Sequence, residues 1–166
     1  MGPVCRIASG AFYTLYHQSG LRRQGRSGRL NAAYIENRLP VALNGEWEYY
    51  DSRFLFSSDF SASSAEHYSP EYRKLPGTLP NTFGYGTYRL TFTFLGTTDL
   101  YSLRLAGVQG TARIYVDGRL LSDIGFTSSL KASSETEKDN QYIVFPLDIM
   151  RQTHEIIIQV SNFSNY

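Results

Sequence analysis

One cysteine, Cys5, stands in a chain of 166 residues. No disulfide can form within the chain and no cysteine-based metal site can be built. Long apolar runs are missing as well, since no stretch approaches the roughly 18 residues of a membrane-spanning helix. The sequence contains neither a Gly-Lys-Ser/Thr phosphate loop nor a Gly-x-Ser-x-Gly nucleophile elbow. Gly84-Tyr85-Gly86 begins like a dinucleotide fingerprint but has Arg89 where the third glycine belongs. A strand pattern follows, so no helix N-terminus is there to hold a pyrophosphate. Histidine is scarce: His17, His67 and His154 each lack a partner at metal-ligand spacing and read as ordinary polar surface residues. No motif calls for a cofactor or a metal.

Acidic residues are absent from residues 1–33, which hold Arg6, Arg22, Arg23, Arg26 and Arg29 for a balance of +5. The other 133 residues hold 11 basic and 15 acidic groups, so the net charge of +1 conceals a mildly acidic body. Phosphate backbones need a cationic footprint, which argues against a nucleic-acid partner. Residues 1–33 also lack periodicity, and the basic cluster follows the short apolar run where a signal peptide would put it first. They read as a leader or disordered segment, or as an upstream fragment, ahead of one domain over residues 34–166.

What is abundant is aromatic and alternating. Thirteen Tyr and ten Phe suit pleated surfaces. Leu100–Gly125 reads as three short strands, with Leu103 and Leu105, then Ala112, Ile114 and Val116, at period two. Asp117-Gly118 between two such runs predicts a type I′ hairpin, because both central residues of that turn take positive φ. Thr87–Phe94 alternates Tyr88, Leu90, Phe92 and Phe94 against Thr87, Arg89, Thr91 and Thr93. Trp47 and Tyr49 share one face of a strand with Glu46, Glu48 and Tyr50 on the other. Glu71–Leu75, Gln141–Pro146 and Glu155–Phe163 complete the strand pattern, with one helical turn expected near residues 147–152. Residues 57–70 read as a Ser-rich loop. The implied fold is all-β, a β-sandwich. Its core is predicted to contain Trp47, Tyr88, Leu90, Phe92, Leu103, Leu105, Ile114, Val116, Ile156, Ile158 and Val160.

Few residues suggest chemistry. Glu46 and Glu48 share a face, as a glycosidase carboxylate pair could, but neighbours on one strand do not flank a substrate and are read as solvated. Asn162-Phe163-Ser164 fits a glycosylation sequon, a short pattern frequent by chance. Two loops combine amides with aromatics: Asn81–Gly86 and Asn162–Tyr166. Amides pair donors and acceptors with sugar hydroxyls, and aromatic faces stack on the apolar faces of pyranose rings. The same residues also suit a plain structural role, with Tyr85 and Phe163 plugging the sandwich and the asparagines shaping turns. The candidate ligand-binding residues are Asn81, Tyr85, Asn162, Ser164 and Asn165.

LNGEWEYY, LPGTLPN, GYGTYRLTF, LRLAGVQGTARIYVDGRLLSDIG and IIIQVSNF occur here in order. Over residues 30–166 this succession resembles the extracytoplasmic jelly-roll sensor domain of bacterial seven-transmembrane receptors with diverse intracellular signalling modules. The resemblance implies a galactose-binding-like sandwich on the periplasmic or outer face of the inner membrane, with a carbohydrate or another small molecule as ligand. A membrane region and a signalling output module, such as a histidine kinase or a diguanylate cyclase, would follow it. The sugar-binding N-terminal domain of β-galactosidase-like and β-glucuronidase-like hydrolases is similar in the same segments. There the loops corresponding to Asn81–Tyr85 and Asn162–Asn165 approach the sugar, and the catalytic carboxylates lie in another domain. Under either resemblance this chain by itself is not an enzyme.

Overall fold

Strand alternation builds most of the molecule. The computed structural model describes residues 6–7, 25–31, 43–61, 68–75, 77–78, 84–93, 100–105, 111–125, 141–148 and 150–162. Among them run eleven strands: β1 (Arg6–Ile7), β2 (Arg29–Asn31), β3 (Gly45–Asp51), β4 (Glu71–Leu75), β5 (Gly77–Thr78), β6 (Gly84–Thr93), β7 (Leu100–Leu105), β8 (Thr111–Val116), β9 (Arg119–Ile124), β10 (Gln141–Pro146) and β11 (Thr153–Asn162).

The larger sheet has the order β4-β3-β6-β11-β8-β9, with every neighbour antiparallel, and β2 joins β6 in parallel. A smaller sheet pairs β10 with β7. The inner faces of the two sheets make one core, in which Trp47, Tyr88, Leu90, Ile114, Ile156 and Val160 meet Leu103 and Phe145. The fold is all-β, a jelly-roll β-sandwich. All predicted core residues are buried except Leu105, whose side chain lies outside the described residues. Trp47 is fully enclosed and donates its indole N–H to the Leu43 carbonyl at 2.9 Å, so its polar atom is satisfied.

The β8–β9 hairpin turns at Asp117 and Gly118 with φ of 48° and 80°, the two positive values that a type I′ turn requires. A bulge after Ile114 then shifts the register, so that Tyr115 faces Leu120 while Leu121 packs on the core.

Three expectations need correction. Residues 25–31 do not stand apart from the sandwich: β2 lies beside Thr91–Thr93, and Leu30 is buried in the core. Gly25 bridges Gly45 at close range, and a side chain at Gly45 would strike the Gly25 backbone. A short apolar residue in a basic, Gly-rich stretch gives no periodic signal, so this docking is invisible in the sequence. Gly84–Gly86 is the start of β6 rather than part of a loop, because its backbone pairs with the end of β11. Near Asp148 the described backbone makes a turn, not a helix, with the Asp148 carboxylate accepting from the Met150 N–H.

Candidate functional site

The outer face of the larger sheet is where the polar and aromatic groups gather. Arg53–Ser61 leaves the end of β3 and crosses this face as a strap, closing with a 3₁₀ turn at Ser57–Phe60. Its anchor is Leu55. The Leu55 N–H donates to Thr87 Oγ1 at 3.0 Å, and the Leu55 carbonyl accepts from Gln159 Nε2 at 3.0 Å. Thr87 Oγ1 in turn donates to the Arg53 carbonyl at 2.7 Å. Thr87 and Gln159 are both fully enclosed, so two buried polar side chains satisfy the strap backbone.

Beneath the strap lies an ionic cluster. Arg89, at the centre of β6, reaches Glu48 on β3 at 3.0 Å and Glu155 on β11 at 2.5 Å. Phe60 covers the guanidinium at 4.1 Å from its ring centroid. Ser57 Oγ donates to Glu155 at 2.6 Å, and Tyr50 Oη donates to Glu48 at 2.9 Å. Burial alone would lower the Arg89 pKa, but the Glu155 and Glu48 carboxylates together raise it above the ordinary arginine value. Glu48 is therefore engaged by a cation and a phenol, not solvated as its alternation suggests. Glu46 accepts from the Ser27 N–H in the turn before β2. Neither carboxylate is arranged across a cleft as a hydrolytic pair.

A second cluster surrounds the hairpin turn. His154 Nδ1 lies 2.7 Å from the Asp117 carboxylate, whose other oxygen accepts from the Glu155 N–H at 2.9 Å. The imidazole packs on Phe92 with ring centroids 5.4 Å apart. His154 is buried, contrary to its reading as a surface residue, because Asp117 supplies a partner from a turn 37 positions away. Asp117 is thus both a turn residue of the hairpin and a structural tie to β11. His17 and His67 lie outside the described residues. No group of three potential metal ligands occurs among the described residues.

Two aromatic pairs rise from this face. Phe54 meets Tyr85 at 4.8 Å between centroids, and Phe56 meets Tyr115 at 5.6 Å, edge to face. Phe54 and Phe56 are 38% and 45% exposed, on either side of the buried Leu55. Of the predicted site residues, the structure puts Tyr85 opposite Ser161 and Asn162 opposite Gly84, so the start of β6 and the end of β11 are neighbours. Asn81, Ser164 and Asn165 lie outside the described residues, as does the side chain of Asn162. Sequence reasoning missed Phe54, Phe56 and Tyr115. The run Arg53-Phe54-Leu55-Phe56 carried the signal, since three large apolar residues ahead of a Ser-rich loop need somewhere to pack.

No protein-family model and no curated protein matches the sequence. Among solved structures, the chain is similar to part of the β-glucuronidase from Ruminococcus gnavus. With the uronic isofagomine complex the TM-score is 0.45 at 14% identity, over 74% of this chain and 21% of the glucuronidase. With the D-glucuronic acid complex the TM-score is 0.43 at 14% identity, over 72% and 21% respectively. The chain thus corresponds to about a fifth of those proteins' length.

Proposed function

We propose that this chain is a ligand-binding β-sandwich module, not itself catalytic, that takes a carbohydrate or a related small molecule where β6 begins and β11 ends. The observation that carries this reading is the Phe54–Tyr85 pair, a partly exposed aromatic surface 4.8 Å between centroids at the adjoining strand ends. Partly exposed rings tilted at 46° to one another leave apolar faces of the kind that pyranose rings need, at little conformational cost. The absence of catalysis is supported by the fate of the carboxylates: Glu48 and Glu155 share one arginine beneath the strap. Hydrolysis of a glycoside needs two carboxyl groups flanking the bond in different protonation states.

The wider role follows from the ordered sequence segments. The module is the extracytoplasmic sensor of a bacterial membrane receptor, on the periplasmic or outer side of the inner membrane, with a signalling output module beyond the membrane. Ligand capture reaches that output to the extent that the ligand prefers one receptor state over another.

A thermal-shift panel of mono- and oligosaccharides at millimolar concentration on the 166-residue chain tests the binding claim. A sugar at ten times its Kd adds about 1.4 kcal/mol, a rise in Tm of roughly 3–6 °C for a chain of this size. Tyr85→Ala should abolish that rise, read against the variant's own unliganded Tm. A flat response across the panel refutes the reading.

A further inference from the structure

We infer that the binding surface is a two-subsite platform for a linear oligosaccharide, running from Phe54–Tyr85 to Phe56–Tyr115. The inference rests on the carbohydrate reading above and goes further, since it names the ligand's length and a second subsite on β8.

The register on β11 gives the dimensions. Tyr85 stands opposite Ser161, while Tyr115 stands opposite Ile157 from the other side of the strand. The two tyrosines are thus four residues apart along the strands and two strands apart across them. At about 3.4 Å per residue and 4.8 Å per strand, this is a diagonal of about 17 Å. Phe54 and Phe56 close in from above, about 7 Å apart along an extended segment. One sugar ring cannot cover both pairs, whereas a short chain of rings can.

The strap makes this arrangement preorganised. Leu55, midway between the two exposed rings, is fixed by the buried Thr87 and Gln159 side chains, so the rings lose little freedom on binding. One flank of the diagonal carries a charge-balanced ion pair. Arg113, opposite Gln159 on β11, pairs with Asp123 at 2.9 Å. An ion pair of this kind offers both donors and acceptors to hydroxyls, and it favours neither a strongly anionic nor a strongly cationic ligand. The occupant that fits aromatic ends and a neutral polar flank is an uncharged oligosaccharide.

Isothermal titration of the 166-residue chain with cellohexaose, xylohexaose and maltohexaose, and with glucose and xylose, tests this. At least one hexaose should bind about tenfold or more tightly than its monosaccharide. Phe56→Ala should weaken hexaose binding about five- to tenfold and leave the monosaccharide unaffected, and Phe56→Tyr should restore it. Tyr85→Ala should weaken both. A monosaccharide that binds as tightly as its hexaose, or a Phe56→Ala variant with unchanged hexaose affinity, overturns the two-subsite platform and leaves the Tyr85 site standing. No heat with any sugar overturns both readings. Length dependence is read on the unsubstituted chain, so the inference stays refutable even if Phe56→Ala does not fold.

Discussion

Replacing Arg89 by Met tests whether the strap truly takes the outer sheet face out of water. Arg89 holds Glu48 and Glu155, whose side chains are only 14% and 11% exposed. If the face were open, each pair would contribute about 0–1 kcal/mol and its loss would hardly register. With both carboxylates enclosed, removing their shared cation leaves two like charges desolvated on strands that flank β6, and breaking a buried pair costs about 3–5 kcal/mol. Arg89 retains 21% exposure, which places the expectation near the lower end, about 3 kcal/mol. Met keeps an apolar stem under Phe60, so the loss reports charge more than packing. Urea unfolding followed through Trp47, the single tryptophan and a fully buried one, gives the number directly. A matching fall in Tm of roughly 6–12 °C should accompany it. Adding Glu48→Gln and Glu155→Gln to Arg89→Met should recover about 1–2 kcal/mol, because the stranded charges are then gone. A loss below 1 kcal/mol, or one that the Gln substitutions do not relieve, would refute the buried ionic cluster.

Two further outcomes follow from the same packing. Phe92→Ala removes a ring enclosed between Leu30 on β2 and His154 on β11, and should cost about 3–5 kcal/mol in urea unfolding; a loss under 1 kcal/mol would mean that the β6 facing is wrong. Tyr49 and Tyr50 have pKa values raised above the ordinary tyrosine value, in both by burial first, and then by the carboxylates of Asp51 and Glu48 respectively. Their neutral forms belong to the folded state, so this stability is intact below pH about 10 and is lost as the pH climbs beyond it, by up to about 1.4 kcal/mol per unit for each group. Absorbance titration should show at least two tyrosines ionising only with alkaline unfolding; free titration of all thirteen near pH 10 in a folded chain would contradict it.

The hairpin at Asp117-Gly118, the inward set on β6 and the buried Trp47 were legible because they depend on neighbours in sequence. Period two assigns faces, and positive φ selects Asp-Gly. The site was legible only in part. Tyr85 and Asn162 stood out as residue types, and their strand ends do meet, but Phe54 and Phe56 precede the Ser-rich loop with no periodicity of their own, and Tyr115 sits on the outward side of an alternating strand.

By itself the sequence determined the fold class, the strand facing and the absence of an intrachain disulfide, all consequences of local alternation and composition. The tertiary structure alone decided what lies over the outer face. Alternation marks Glu48, Arg89, Glu155 and Ile157 as one side of a sheet, but it cannot say whether that side meets water. Here Leu55 and Phe60 return across it, and a solvated-looking row of charges becomes an enclosed cluster beneath an aromatic platform. Likewise β2 found its place beside Thr91–Thr93 because an open strand edge and an apolar Leu30 needed partners, a requirement written in space and not along the chain.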